Sequence, residues 1–304
     1  MYKSNAKTVV ITGCSSGFGR QVSEQLARRG DRVFATMRGT EGKNAKIAAE
    51  MRQLAVAEKI NLQVLELDVT SSVSVDAAAA IIINECGAPD VVINNAGQMY
   101  IGFTESFSAD ELSRQLDVNV VGVHRVNRAF LPAMRQQGRG LFINISSVAG
   151  RLSAPFFGVY HASKWALEGY SLALRGELAS SGVDVVLVEP GPFTTELFSS
   201  SPQPQDIDGR VASYPLMARQ TLDNLAQTFE AMLKDPTLPT DPGLVVDRII
   251  TLIEMSAGNR PFRSVVGLDF GVTKQNADAV PFDAAVLEAF GMTEFATLKP
   301  SEFQ

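Results

Sequence analysis

Short runs rich in Val, Ile and Leu alternate with longer stretches of helical periodicity along most of this chain. The runs cover Thr8 to Thr12, Arg32 to Met37, Leu62 to Leu67, Val91 to Asn94, Leu141 to Ser146, Val183 to Glu189 and Phe262 to Val266. Most are apolar throughout rather than alternating, which is the pattern of strands covered on both faces. Helical patterns fill gaps at Gly17 to Arg29, Val73 to Glu85, Val120 to Gln137, Tyr160 to Ser180 and Leu244 to Met255. Such alternation implies right-handed crossovers and an α/β fold with a doubly wound, parallel, seven-stranded sheet. With 304 residues, a single domain over 1–304 accounts for the length.

The rhythm breaks at Ser199 to Pro204, ahead of an isolated amphipathic segment at Leu216 to Leu233. Region 196–240 therefore reads as a small mobile cap inserted into the domain. A helical pattern at Phe282 to Phe290 lies in a C-terminal extension, 270–304, with no evident role.

Composition narrows the partners. An apolar fraction of 45% with 20% charged residues is that of a folded chain with a large core. Acidic residues outnumber basic ones 33 to 27, and no Lys/Arg run occurs, so nucleic acid and anionic membrane are excluded as expected partners. The N-terminus lacks the apolar region of a signal peptide, and no stretch is long enough to span a bilayer. Cys14 and Cys86 are too few for a disulfide framework and lack metal-ligand spacing. These features predict a cytoplasmic protein with reduced thiols and no metal site.

Candidate chemistry gathers where the strands end. The first strand runs into Gly13, Ser15, Ser16, Gly17, Phe18 and Gly19 just as a helix begins. Glycines there allow a tight turn, and a helix N-terminus offers free N–H groups to a pyrophosphate. Asp68 and Val69 follow the third strand, and Asn95, Ala96 and Gly97 the fourth, at the edge where such sheets bind ligands. The second strand ends in Met37-Arg38, without the carboxylate that would accept a ribose 2′-hydroxyl. Arg38 suits a 2′-phosphate, so the expected cofactor is NADP(H).

Tyr160 and Lys164 stand at i and i+4, separated by about 6 Å of helix rise. A phenol with an ordinary pKa near 10 needs its anion stabilised before it can serve as acid or base at neutral pH. Ser147, ending the preceding strand segment Asn144-Ile145-Ser146-Ser147, supplies a hydroxyl at the same edge. In order and spacing, TGxxxGxG, NNAG, the Ser and YxxxK resemble the short-chain dehydrogenase/reductase family over about residues 6 to 195. The Met37-Arg38 pair and the Glu189-Pro190-Gly191-Pro192 turn are most similar to its 17β-hydroxysteroid and retinol dehydrogenase branch.

The resemblance implies a Rossmann-type fold and a role for each matching residue. Tyr160 would be the proton-transfer residue and Ser147 would orient the substrate oxygen. Lys164 would hold the nicotinamide ribose and lower the Tyr160 pKa, and Asn119 would keep a helix distorted. Pro190 and Gly191 would belong to the cofactor-binding segment after the sixth strand, and Thr195 would meet the nicotinamide carboxamide, with neighbouring Thr194 as the other reading of that position. The family also implies a homodimer or homotetramer packed through Val120 to Gln137 and Tyr160 to Ser180.

Substrate contacts are expected from Met99, Ser147, Phe157, Tyr160 and Phe193, with Tyr100, Phe156, Leu197 and Phe198 adding to an apolar wall. These predict a small lipophilic ketone, aldehyde or alcohol. Two other readings share the motifs: a redox sensor that binds NADP(H) without turnover, and a β-ketoacyl carrier-protein reductase. The first is opposed by the presence of Ser147, Tyr160 and Lys164 together, the second by the acidic balance. Both histidines, His124 and His161, are read as structural, with His161 facing away from the site.

Overall fold

A computed structural model describes residues 6–299. Its first half contains β1 (Thr8–Ile11), α1 (Gly17–Arg28), β2 (Arg32–Met37), α2 (Ala45–Glu58), β3 (Leu62–Glu66), α3 (Ser72–Cys86), β4 (Val91–Asn94) and α4 (Ala109–Leu116). There follow α5 (Gly122–Gln137), β5 (Gly140–Ile145), α6 (Gly158–Glu177), β6 (Val183–Pro190), α7 (Glu196–Ser199), α8 (Ile207–Arg210), α9 (Leu216–Lys234), α10 (Gly243–Glu254), β7 (Arg263–Val266) and α11 (Val272–Ala289). The seven strands pair in parallel in the order β3-β2-β1-β4-β5-β6-β7. This is the expected doubly wound sheet of Rossmann type, with its switch of direction between β1 and β4.

Strand period sets the two cores. Val9, Ile11 and Val33 face α1 and α10, packing on Val22, Leu26, Ile249 and Leu252. Val10, Phe34 and Phe142 face the other way, onto Ile82 of α3 and Phe130 and Met134 of α5. Successive residues of β1 thus enter opposite cores, so β1 has no polar face to alternate with.

Besides the one-turn α7 and α8, two helices lie where no helical pattern was assigned. α2 buries only Ala48 and Met51, too little to give a periodic signal. α4 is short, but its capping box was present in the sequence: Ser108 accepts from the Glu111 N–H and the Glu111 carboxylate accepts from the Ser108 N–H. The helix expected from Val120 instead begins after a widened, π-helical stretch at Asp117–Val121. α6 begins at Gly158, two residues ahead of Tyr160. Of the C-terminal extension, 300–304 lie outside the described residues, as do 1–5. Among the described residues, no helix is long and apolar enough to cross a membrane.

The turn from β1 into α1 is closely packed. Gly13 has φ +72°, and a Cβ there would stand 2.7 Å from the Ala96 Cα. A Cβ on Gly19 would stand 2.4 Å from Asn95 Nδ2 and 2.5 Å from the Gly13 carbonyl oxygen. Because the second obstacle is backbone, α1 itself must move to admit a methyl group. Gly19→Ala should therefore lower stability by about 1–3 kcal/mol. Urea unfolding checks this, and an unchanged midpoint would show that the turn is looser than its contacts imply.

Candidate active site

The end of β1 is tied to the end of β4 before any ligand is considered. Thr12 Oγ1 accepts the N–H groups of Asn95 at 3.1 Å and Ala96 at 3.0 Å. Asn95 Nδ2 returns bonds to the carbonyls of Thr12 at 2.9 Å and Gly13 at 3.0 Å. The Ser16 side chain caps no N–H of α1, so the first-turn donors stay available. Gly13, Ser15, Ser16, Gly17, Phe18, Asn95, Ala96 and Gly97 all line one cleft of about 760 Å³. Gly19 lies outside that lining, where α1 crosses Gly13 and Asn95 closely.

At the next strand end, Met37 and Arg38 line the same cleft. The following loop is shaped by Glu66, which accepts the Gly39 and Thr40 N–H groups, both at 2.7 Å, and the Thr40 hydroxyl at 2.8 Å. Burial pushes the Glu66 carboxyl up, but the bonds from Thr40 and Gly39 outweigh it and hold the group below its ordinary value. Asn44 Nδ2 donates to the Arg38 carbonyl at 2.7 Å. This loop brings Lys43 to the cleft beside Arg38, a second cation that no strand-end rule pointed to.

Asp68 and Val69 also line the cleft. The Asp68 carboxylate accepts from the Thr70 N–H at 2.9 Å and hydroxyl at 2.7 Å, so it organises its own turn, while Ser71 caps α3. Asn119 lies beneath, buried and outside the lining. Its amide pairs with the Gln98 backbone, accepting from N–H and donating to the carbonyl at 2.9 Å each, and donates to Ser163 Oγ at 3.0 Å. That bridge sits on the π-helical stretch and fixes the segment after Gly97.

Ser147, Tyr160 and Lys164 converge on the wall opposite the glycine turn. The Ser147 hydroxyl accepts the Ala149 N–H at 3.1 Å and donates to the Pro190 carbonyl at 3.2 Å. Burial drives the Tyr160 phenol up to about 12, against the pull of the Ser147 hydroxyl. Lys164 is buried too, and that burial brings its ammonium down to about 8, opposed by the Glu168 carboxylate. Its Nζ donates to the Ile145 carbonyl at 2.8 Å and lies 5.8 Å from the Tyr160 ring centroid. Desolvation thus dominates the phenol here, and the group that opposes it is Ser147 rather than Lys164.

His161 lines the cleft rather than facing away, yet both its nitrogens are engaged in structure. Nδ1 is 2.7 Å from the Ala149 carbonyl and Nε2 accepts the Ala154 N–H at 3.1 Å. This pairing fixes the Nδ1–H tautomer and staples the loop between Ser147 and Tyr160 onto α6.

The apolar wall is partly as expected. Met99, Phe157, Leu197 and Phe198 line the cleft, and Pro190, Gly191 and Thr195 close its floor. Thr194 instead points out and its N–H bonds the Thr240 carbonyl at 3.3 Å. Phe193 lines the cleft from below, as a core residue packed edge-on to Phe18 at 5.6 Å. Tyr100 and Phe156 turn away: Tyr100 stacks on Phe107 at 5.5 Å, and Phe156, at φ +73°, meets Phe103 at 5.1 Å. The wall is completed by residues missed in the sequence, Leu225, Phe229, Met232 and Leu233 of α9, together with Phe270. Their i, i+4, i+7, i+8 spacing marked an apolar stripe on α9, but only the fold shows what that stripe faces.

Known proteins share this arrangement. A family model described as short chain dehydrogenase matches residues 7–206. The 3-ketodihydrosphingosine reductase of Bacteroides thetaiotaomicron is 35% identical over 259 residues, covering 85% of this chain and 87% of that one. Human 17-beta-hydroxysteroid dehydrogenase type 1 is 36% identical over 272 residues, covering 82% of this chain and 81% of its own. Among solved structures, a short-chain dehydrogenase from Streptomyces avermitilis superposes with a TM-score of 0.74 at 31% identity, covering 94% of this chain and 98% of that one. With the glycine turn, the Asn-Asn-Ala-Gly segment and the Ser147, Tyr160 and Lys164 wall on one edge, the chain belongs to the short-chain dehydrogenase family of oxidoreductases.

Proposed function

We propose that this protein is an NADP(H)-dependent oxidoreductase that interconverts a neutral, lipophilic ketone or aldehyde and its alcohol. The observation that carries this reading is the convergence of Ser147, Tyr160 and Lys164 with an apolar wall in one cleft. Its volume, about 760 Å³, is within the usual range of small-molecule sites. Support also comes from the two relatives, named for 3-ketodihydrosphingosine and for 17-beta-hydroxysteroids.

A bound nicotinamide supplies or accepts the hydride. The chain's own residues do the rest. Ser147 donates to the substrate oxygen by swinging its hydroxyl away from the Pro190 carbonyl. Tyr160, held protonated by burial, gives its proton to that oxygen as negative charge develops there and takes it back in oxidation. Lys164 holds the ribose hydroxyls and adds positive charge beside the phenol. Water is excluded by Phe157, Phe198 and the stripe on α9, where Phe198 and Phe229 stack at 4.6 Å.

Tyr160→Phe keeps the ring and removes the proton, so kcat should fall by about 100-fold or more, with cofactor dissociation within about twofold of wild type. Steady-state assays across neutral carbonyls of increasing hydrophobic size test both halves of the reading. Retention of more than about a tenth of kcat by the variant would remove Tyr160 from its role. A preference for small dicarboxylates would remove the apolar assignment.

Arg38 and Lys43 are the groups suited to a 2′-phosphate, and no acid at Met37 opposes one. Arg38→Ala or Lys43→Ala should raise KM for NADPH by about tenfold, the scale of one charge-assisted bond, with little change for NADH. Equal efficiency of the wild type with both cofactors would contradict the assignment.

Leu112, Val121 and Trp165 are exposed apolar residues on or between α4, α5 and α6. They support self-association through this face, as a homodimer or homotetramer. A monomeric mass by light scattering at micromolar concentration would contradict this.

A further inference from the structure

Behind the catalytic wall lies a buried ionic network that the proposed chemistry does not use. Arg263 of β7 lies between two carboxylates, 2.8 Å from Glu168 of α6 and 3.8 Å from Glu189 of β6. Glu168 also accepts the Ser146 hydroxyl at 2.5 Å. Two acids share one guanidinium, and the remaining contact is made from the C-terminal extension. Asn276 of α11 donates from Nδ2 to Glu189 Oε2 at 2.6 Å and accepts on Oδ1 from Arg151 Nε at 2.8 Å.

These two bonds reach the two segments that hold the Ser147 hydroxyl. Glu189 immediately precedes Pro190, whose carbonyl accepts from Ser147 Oγ. Arg151 ends the short turn whose Ala149 N–H donates to the same oxygen, and its own N–H bonds the Val148 carbonyl at 3.0 Å. Asn276 thus bridges both supports of one hydroxyl without touching it. We propose that Asn276 is a positioning residue of the active site, through which the C-terminal helix α11 sets the orientation of Ser147. The inference rests on the reading of Ser147 as the group that orients the substrate oxygen.

The charges around this bridge give it a pH signature. Glu189 is faced by Glu168 from α6, Arg263 from β7, Arg151 from the turn after β5, and uncharged Asn276 from α11. Burial first, and then the Glu168 charge, push the Glu189 carboxyl up to about 8, while the Asn276 amide, Arg263 and Arg151 oppose the rise. Glu189 is therefore held toward its protonated form, and the shared charge of the two acids makes the bridge sensitive to alkaline pH. An amide donor at 276 tolerates either form of Glu189, whereas a carboxylate tolerates only the protonated one.

Asn276→Ala should lower kcat by about tenfold with NADPH dissociation unchanged, since the Arg38 and Lys43 end of the cleft is remote from the bridge. Asn276→Asp keeps the acceptor for Arg151, so its kcat should be within about threefold of wild type at pH 6, where one proton lies between residues 276 and 189. It should fall toward the alanine value by pH 9, as both become charged. A residue that only stabilised the fold would change the melting temperature but not kcat per folded molecule or its pH profile. If Asn276→Ala does not fold, Arg151→Ala breaks the same bridge from the more exposed side and should give the same loss. Wild-type kcat at both pH values in the position-276 variants, or in Arg151→Ala where that stands in, would overturn the proposal. Ser147→Ala separates the two readings: full activity in that variant overturns the role of Ser147 itself, whereas its collapse beside unaffected Asn276 variants overturns the bridge alone.

Discussion

Every strand of this sheet runs in the same direction, so each delivers its carboxyl end to a single edge. The right-handed crossovers that enforce this direction also carry the amino ends of the returning helices toward that edge. Gly13, Arg38, Asp68, Asn95, Ser147 and Gly191 follow six different strands and still line one cleft. Crowding is the consequence, and it explains the glycines: the turn after β1 passes within contact distance of the segment after β4. Polar side chains seal the floor beneath. Asn94 donates at 2.8 Å to both Asn127 and Asn144, and Asn144 donates to Ser171 at 2.9 Å, so the buried amides satisfy one another across the sheet.

The same burial that makes the edge rigid sets its proton affinities. Desolvation favours the neutral form of each group, which raises the Tyr160 phenol and lowers the Lys164 ammonium. A phenol held protonated is a poor acid toward a neutral carbonyl but a competent one toward an oxygen that is gaining negative charge. In the proposed mechanism, proton transfer would thereby be coupled to the progress of the reaction. Behind Lys164, Glu168 restrains the fall of the lysine while drawing on Arg263, and Arg263 in turn limits what Glu189 can do. The lysine and the buried acids are therefore parts of one charge balance spanning α6, β6 and β7.

What could be read in the sequence follows from how local each signal is. Most strands were legible because their residues are buried on both faces, and the glycine turn, Asn95, Ser147, Tyr160 and Lys164 because each is fixed by its own strand end or helix. α2 was hidden by its small buried surface, and α4 could have been found from the Ser108 and Glu111 capping pair. Gly19 lies against a neighbouring backbone, and a glycine that admits a backbone and one that admits a ligand leave the same letter. Tyr100 and Phe156 were placed in the wall by proximity in sequence, but the left-handed φ of Phe156 turns it toward Phe103 while its neighbour Phe157 enters the cleft. Lys43 and Asn276 carried no signal: one depends on a loop shaped by Glu66, the other meets a carboxylate 87 positions away.

The contrast between the sheet and the segment above it bears on how a substrate enters. All eight residues of β6 are buried, whereas α9 has no buried residue at all. Leu225, Phe229, Met232 and Leu233 are partly buried and face the cleft, so α9 has apolar surface that the protein itself does not fully remove from water. Segments with few buried contacts open at low free-energy cost. The ties that hold the 196–240 region down are polar and aromatic: Ser201 accepts the Ile101 N–H at 3.1 Å, Glu111 accepts the Gln205 N–H at 3.1 Å, Glu105 accepts the Tyr214 hydroxyl at 2.8 Å and pairs with Arg210 at 3.1 Å, and Tyr214 and Phe229 meet Phe103 and Phe157 at 4.0 and 5.9 Å between ring centroids. A lipophilic molecule in the cleft would supply the missing cover at roughly 25 cal/mol per Å² of apolar surface removed from water. Closure and substrate binding would then share one driving force, and a substrate too small or too polar to cover the stripe would leave the reacting edge open to solvent.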